Sequence, residues 1–256
     1  MSGDRRRAAS WLPPAALLVA ALIAWETLAR LGRIEDYLLP APTEVARSLV
    51  DDRELLFADA WVTAKEVLLG FGIALLAGLA IAVALHLSQA LRRSVYPLVV
   101  ASQAIPVIVL APILVIWFGF GVGPKLIVIA LVCFFPIVVN TLDGLGSVDR
   151  AQIDMMSTLG ASRRQTLWRL ELPRSLPFVF SGAKIAVAVA VIGAVFGELV
   201  GSDAGLGHAI QVGTAQLVTA RVFAAVTLLS MMAIALFAAV AALERWTVPW
   251  SGKEES

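Results

Sequence analysis

Six apolar stretches of membrane-spanning length run through the 256-residue chain, and they limit what it can fold into. A segment of about 20 apolar residues crosses the roughly 30 Å hydrocarbon core as an α-helix, because a helix satisfies its own backbone amides. The mean hydropathy of +0.86 is far above what a water-soluble core requires. The sequence therefore predicts an all-α integral membrane protein with about six transmembrane helices, formed by residues 11–31, 67–87, 96–118, 126–142, 178–200 and 222–243.

The first apolar stretch follows three arginines at residues 5–7, an arrangement found in secretory signal peptides and in first transmembrane helices alike. Further membrane-length stretches follow it, with no soluble domain between them. We therefore interpret residues 11–31 as an uncleaved first span, and residues 1–256 as a single transmembrane domain.

Lysine and arginine are unevenly distributed among the segments that connect the spans. Basic residues cluster at 5–7, at 92–93 and between 150 and 174, whereas the segment after the first span is rich in aspartate and glutamate. Basic residues near span ends tend to remain in the cytoplasm. Both termini and the longest connecting loop, residues 143–177, are therefore predicted to be cytoplasmic.

Two spans carry small residues at four-residue intervals. Helices in lipid associate through such residues, because they let two backbones approach closely. The sequence therefore predicts helix-packing faces on the second and fifth spans, formed by Ala74, Gly78 and Ala82 and by Gly182, Ala186, Ala190 and Ala194.

The longest connecting loop contains start and stop signals for two short helices. Asp149 is placed to cap the first, and Ser162 forms a capping box for the second with Gln165 three residues later. Gly160 lies between them, where a left-handed conformation would end the first helix and turn the chain. Pro173 is predicted to end the second helix, because proline lacks a backbone N–H.

Both short helices also have apolar residues at helical spacing. One apolar side can rest on the membrane helices, and the other then needs a partner. The apolar residues concerned are Ile153, Met155, Met156 and Leu159 on the first helix and Leu167 and Leu170 on the second.

The loop resembles that of the permease subunits of binding-protein-dependent ABC importers. Their pattern is EAA, three residues, G, nine residues and I-x-L-P; here DMM at 154–156, Gly160 and LELP at 170–173 have the same spacing. The similarity extends to LPAPTEV, APILVIWFGFGVGPK, CFFPIVVNTLDGL and GAVFGELVGSDAGLG, and so covers most of the chain. Asp154 shortens the usual glutamate by one methylene, and two methionines replace small alanines.

The resemblance implies a type I importer permease in the cell inner membrane, with a cytoplasmic coupling-helix loop that docks against an ATPase. It implies a homodimer in the bilayer, joined by two ATPase subunits that bind the ATP and by an external solute-binding protein. No cofactor, metal or nucleic-acid partner is expected for this chain itself. The residues implied to contact the ATPase are Asp154, Met155, Met156, Gly160, Ser162, Arg163, Arg164, Leu170, Leu172 and Pro173.

Within the family, the chain is most similar to the nitrate, sulfonate and taurine branch. The segments CFFPIVVNTLDGL and GAVFGELVG look especially like members that import either pyrimidine precursors of thiamine or riboflavin itself. The resemblance thus favours a thiamine pyrimidine precursor or a similar vitamin as the solute, with a sulfonate, taurine or nitrate as the alternative.

Two other classes of membrane protein fit the sequence less well. The chain lacks the G-x-x-x-x-G-K-[ST] phosphate-binding loop, so it is not expected to hydrolyse ATP itself. An ion-coupled secondary transporter needs ionisable groups near the midplane, but Glu26, Lys184 and Glu198 lie towards span ends. A membrane enzyme needs convergent ligands or bases, but His86 and His208 are predicted to lie on opposite sides of the membrane.

Three polar residues within the apolar spans are candidates for a translocation path, because a polar group in lipid is costly unless it meets protein or water. They are Gln103, Asn140 and Glu198. The alternative is that Gln103 and Asn140 form hydrogen bonds between helices and that Glu198 lies at the external interface.

Overall fold

The computed structural model describes residues 3–31, 35 and 37–250, and within the first helix it describes the side chains of residues 13 and 16–31. This part of the chain is helical throughout, apart from turns and short connections. The helices are α1 (Gly3–Leu31), α2 (Pro42–Asp51), α3 (Arg53–Leu87), α4 (Gln89–Ala101), α5 (Val107–Phe118), α6 (Val122–Gly146), α7 (Arg150–Thr158), α8 (Arg163–Thr166), α9 (Leu172–Gly201), α10 (Leu206–Ala215) and α11 (Thr219–Thr247).

Four of these elements are long and apolar enough to cross a membrane within the described residues: α3, α6, α11 and the continuous helix Arg163–Gly201. They contain the predicted spans at 67–87, 126–142, 178–200 and 222–243, and each helix is longer than the span predicted within it. The predicted first span, 11–31, lies in α1 and falls partly outside the residues whose side chains are described.

The prediction of one continuous third span over 96–118 is wrong. Helix α4 ends at Ala101, a 3₁₀ turn follows, and α5 begins at Val107 with its axis bent by 100° from the preceding helix. Ile105 between them is extended, with φ −85° and ψ 117°, because the ring of Pro106 disfavours a helical residue before it. The pair therefore forms either a broken span or a re-entrant loop.

The prediction that Pro173 ends the second short helix is also wrong. A π-turn, Leu167–Glu171, joins α8 directly to α9, and the N–H of Leu172 bonds the carbonyl of Leu167. This wider turn displaces the carbonyl groups that the proline ring would otherwise meet, so the helix continues. Residues Arg163–Gly201 form one helix of 39 residues, about 58 Å long at 1.5 Å per residue.

The packing faces predicted from small residues are confirmed. All seven residues are buried, on α3 and α9, and both helices pack against α6. A Cβ added at Gly78 would lie 2.7 Å from Cγ2 of Ile137, and one added at Gly182 would lie 2.7 Å from the carbonyl oxygen of Pro136. These approaches leave no room for a larger side chain, so glycine is required at both positions.

The bundle has a loop end, where α7 and α8 lie, and a far end, where α10 lies. Helix α3 runs from the far end to the loop end, and the 27 residues from Asp59 to His86 span about 40 Å. At the far end, Asp52 lies between α2 and α3 and forms a 2.7 Å ion pair with Arg221 of α11. The Arg221 guanidinium lowers the pKa of this carboxyl group by hydrogen bonding.

The end of α11 returns to the loop end, where Trp250 and Pro173 line a common cleft of about 500 Å³. The C-terminal half of α1 meets the far end instead, where the rings of Trp25 and Phe223 lie 5.7 Å apart. This alternation agrees with the predicted topology. Which end faces the cytoplasm stays a prediction.

Candidate functional site

The two short loop helices begin at the predicted caps. Asp149 Oδ1 accepts the backbone N–H of Ala151 at 3.1 Å. Ser162 Oγ accepts the N–H of Gln165 at 3.3 Å, and the Gln165 side chain accepts the N–H of Ser162 at 2.7 Å. Both caps are therefore confirmed, and the second is a complete capping box.

Gly160 makes the turn between α7 and α8, as predicted. Its φ of +80° lies in the left-handed region. Its N–H bonds the carbonyl of Ser157 at 2.9 Å, and the N–H of Ala161 bonds that of Met156 at 3.0 Å. These are the two bonds of a Schellman motif, which satisfies the last carbonyls of α7 and sets the angle between the helices.

The apolar residues of the loop separate into two sets. Leu167 is buried, and Ile153 and Met156 are half-buried. By contrast, Met155 on α7 is 57% exposed, and Leu159, the C-cap residue four positions later, is 76% exposed. In a segment predicted to project into water, large exposed apolar side chains mark a surface for a protein partner.

The ten predicted coupling residues lie on α7, in the turn after it, and on the first turns of the long helix. Six are exposed: Asp154, Met155, Gly160, Ser162, Arg163 and Arg164. Four are half-buried: Met156, Leu170, Leu172 and Pro173. Their contact with an ATPase stays a prediction.

Arg163 has a partner within the chain. Its Nη1 donates a hydrogen bond to Glu171 Oε1 at 2.6 Å, while its side chain is 50% exposed. Glu171 is 1% exposed and was not predicted as a functional residue. The sequence does contain a signal for it, a lone carboxylate between Leu170 and Leu172 at the start of a span. A carboxylate in such a position is seldom buried without a partner, so a partner could have been expected.

Loss of the Ser162 cap is expected to have a small effect. In Ser162→Ala the N–H of Gln165 loses its acceptor, at a cost of about 1 kcal/mol. The protein should insert normally into the membrane, and only α8 should become less helical. Amide hydrogen exchange of residues 163–166 in the purified variant measures this; unchanged protection would show that packing, rather than the cap, holds the start of the long helix.

Glu198 lies at the far end and is fully buried. Its carboxylate accepts hydrogen bonds from the Thr63 hydroxyl at 2.7 Å and from the N–H of Gly207 at 2.6 Å. Asp59 and Thr63 accept the N–H groups of Gly205 and Leu206 at 2.8 and 2.9 Å. Glu198 therefore helps cap the N-terminus of α10, where unpaired N–H groups and the helix dipole favour negative charge.

The same region contains a buried ion pair that the sequence interpretation missed. Lys125 Nζ donates to Glu66 Oε1 at 2.7 Å and to the hydroxyl of Ser202 at 2.7 Å, and both charged side chains are less than a tenth exposed. Together, Asp59, Thr63, Glu66, Lys125 and Glu198 form the far-end network, which joins α3, α6, α9 and α10.

The three path candidates do not converge. Gln103 is exposed in the 3₁₀ turn of the broken span, beside a cleft of about 240 Å³. The amide nitrogen of Asn140 donates to the carbonyl of Pro136 in its own helix at 2.8 Å. Asn140 lies against Gly182, which is 16 residues and hence about 24 Å along α9 from Glu198. A role for any of them in translocation stays a prediction.

The groups that a secondary transporter or an enzyme would need are paired or far apart. Lys184 bonds Glu244 at 2.8 Å, and Glu26 bonds Arg30 and Thr43. His86 lies at the loop end, whereas His208 lies on α10 at the far end. No group of three or more potential metal-binding side chains occurs in the part of the chain that the structure describes.

The chain matches the family of binding-protein-dependent transport system inner membrane components over residues 74–249. It therefore belongs to this family, and it is a membrane permease of a transport system.

The formylaminopyrimidine transport permease protein ThiX of Halalkalibacterium halodurans is 38% identical over 250 residues, which cover 97% of this chain and all of that protein. The riboflavin transport system permease protein RibX of Chloroflexus aurantiacus is 34% identical over 235 residues, covering 91% and 88% of the two chains. The taurine transport system permease protein TauC of Escherichia coli is 31% identical over 243 residues, covering 92% and 88%.

Among solved structures, the fold is similar to an inward-facing structure of the MetNI methionine ABC transporter. The TM-score is 0.66 at 20% identity, and the match covers 76% of this chain and 96% of that one. The predicted type I importer permease fold is therefore confirmed.

Proposed function

We propose that this chain is the membrane subunit of an ATP-driven importer, in which a dimer of the chain binds two cytoplasmic ATPase subunits and an external solute-binding protein. The observation that carries the proposal is the exposed apolar pair Met155 and Leu159 on a capped helix, joined to the membrane bundle by a well-formed turn. Membership of the binding-protein-dependent family supports it.

The loop has the mechanical properties that coupling requires. A flexible connection would absorb the motion of an ATPase, whereas α7 is held at both ends by hydrogen-bonded caps. Beyond Gly160 the chain enters one uninterrupted helix, Arg163–Gly201. Displacement of α7 by a closing ATPase dimer would therefore be transmitted to the far end of the bundle.

The solute that we propose is a pyrimidine precursor of thiamine, of the formylaminopyrimidine class. The identity of 38% to ThiX over nearly the whole chain supports this choice. Taurine or another sulfonate is the second candidate, supported by the 31% identity to TauC.

Reconstituted transport tests the ATP-driven mechanism. Proteoliposomes that contain the chain, its ATPase and ATP should import the solute only when the loaded binding protein is present. Uptake that an ion gradient drives through this chain alone would contradict the proposal. Thermal stabilisation of the cognate binding protein by formylaminopyrimidine or by taurine separates the two candidate solutes.

The orientation of the bundle can be tested with single cysteines in a Cys133→Ala background, since Cys133 is the only cysteine. Ser162→Cys at the loop end and Gln211→Cys on the exposed side of α10 form a matched pair. In spheroplasts, a membrane-impermeant maleimide should label Gln211→Cys, and Ser162→Cys only after permeabilisation. Labelling of intact spheroplasts at residue 162 would overturn the topology and the docking of an ATPase at the loop.

A further inference from the structure

A cluster of three polar side chains joins the loop to helix α3. Glu171 is 1% exposed, and each of its oxygens faces a different element. Oε1 accepts a hydrogen bond from Arg163 at the start of α8, at 2.6 Å. Oε2 lies 3.2 Å from Nε2 of His86, in the last turn of α3, and this nitrogen also lies 3.0 Å from Nη2 of Arg163. We call these three residues the loop cluster.

The loop cluster connects the loop to α3, although the two are not adjacent along the chain. The chain joins the loop directly to α6, which precedes it, and to α9, which continues from it. Helix α3 is not next to the loop along the chain, and the His86 imidazole connects them, 3.2 Å from Glu171 and 3.0 Å from Arg163. The buried Oε2 of Glu171 has no hydrogen-bond donor in the described part of the chain, and its contact with α3 is the His86 imidazole at 3.2 Å.

The opposite end of α3 belongs to the far-end network. Asp59 and Thr63 accept the first backbone N–H groups at the start of α10. About 40 Å of helix separates these residues from His86. Helix α3 therefore holds the loop at one end and α10 at the other, and an unbroken helix can transmit displacement between two such ends.

We propose that Glu171 and His86 are positioning residues that make α3 a second mechanical link between the loop and the far end, in parallel with the helix Arg163–Gly201. The inference rests on the proposed function, because it assumes that an ATPase moves the loop. Motion of the loop then reaches α10 both through α9 and through α3, and a change at α10 returns to the loop by the same two routes.

The experiment uses the complete complex of this chain, its ATPase and the loaded binding protein in proteoliposomes. The disruptive variants are Glu171→Gln and His86→Leu. His86→Gln is the conservative variant, since its amide can both donate to Glu171 and accept from Arg163. Asp143→Asn is the matched control, because Asp143 is an exposed acid within α6 near the same end of the bundle. Three quantities are measured: solute imported per ATP hydrolysed, stimulation of ATP hydrolysis by the loaded binding protein, and co-purification of the ATPase.

In Glu171→Gln and His86→Leu, we expect solute imported per ATP to fall about fivefold or more, the size of a modest coupling free energy. Stimulation by the binding protein should fall with it, while co-purification of the ATPase stays normal. His86→Gln should retain most of the coupling, and Asp143→Asn all of it. Because His86 is at the edge of the cluster, His86→Leu decides the question alone if Glu171→Gln does not fold.

Normal coupling in His86→Leu would overturn the inference, as would loss of the ATPase from both disruptive variants, because the residues would then serve docking. Failure of the proposed function itself is distinguishable. In that case the unmodified complex would show no ATP-dependent uptake before any substitution is made.

Discussion

Replacing Lys125 with methionine is expected to destabilise the protein by about 3–5 kcal/mol, the usual cost of removing one partner from a buried ion pair. Lys125 is 6% exposed and its ammonium group is the ionic partner of Glu66, which is 3% exposed. The variant leaves that carboxylate buried without a counter-charge, and Oε2 of Glu66 already has no hydrogen bond in the described structure. The hydroxyl of Ser202 also loses a donor.

The single cysteine provides the measurement. Cys133 is fully buried, so a thiol-reactive fluorescent dye labels it only when the bundle opens. At roughly 2–4 °C per kcal/mol, the unfolding midpoint of Lys125→Met should fall by about 6–20 °C. Lys65→Met is the matched control, because this lysine is exposed beside the ring of Trp61 and should cost at most about 1 kcal/mol.

A double variant separates loss of the ion pair from loss of packing. In Lys125→Met combined with Glu66→Leu, both charges are removed, and much of the stability should return because apolar pairs commonly replace buried ion pairs without loss. If the single Lys125→Met variant unfolded at the temperature of the unmodified protein, the far-end network would have no role in stability.

Replacing Gly160 with valine is expected to uncouple transport. A β-branched residue in the left-handed region costs about 1–2 kcal/mol, which would lower the ratio of native to altered turn by a factor of roughly 5–30. No atom lies within 4 Å of a Cβ added at Gly160, so the effect comes from the backbone alone. The altered turn would misdirect Met155 and Leu159 relative to the bundle.

The measurements are co-purification of the ATPase and solute imported per ATP hydrolysed, in protein shown to be inserted. Gly146→Val is the matched control, because a Cβ there also meets no atom within 4 Å, but this glycine has no positive φ. Asp154→Arg is a second, independent change, since Asp154 is exposed on the surface proposed to contact the ATPase. Normal values for both Gly160→Val and Asp154→Arg would mean that this loop does not couple the ATPase to transport.

The sequence alone was sufficient for the caps and the turn of the loop, for four of the helices and for their packing faces. The caps at Asp149 and Ser162 and the left-handed turn at Gly160 could be predicted because each involves residues at most five positions apart. The location of four spans and the packing faces of α3 and α9 could be predicted because lipid restricts backbone structure to helices and rewards close approach. Family membership followed from motifs whose spacing is itself a sequence property.

Two predictions about prolines failed, because a proline in a helical segment can either break the helix or be accommodated within it. Pro106 breaks the third span, whereas Pro173 lies inside a continuous helix, since a π-turn before it removes the clash. Only the packing of the surrounding helices determines whether the chain bends at a proline or widens a turn.

The tertiary structure alone decided which polar residues meet. Thr63 and Glu198 are 135 residues apart in sequence, Lys125 and Glu66 are 59 apart, and His86 and Arg163 are 77 apart. No periodicity connects such positions, because a contact between two helices depends on their relative rotation and depth in the bundle. The sequence thus determined where the helices run and where the loop turns, whereas the far-end network and the loop cluster exist only because packing brings α3 against α6, α8, α9 and α10.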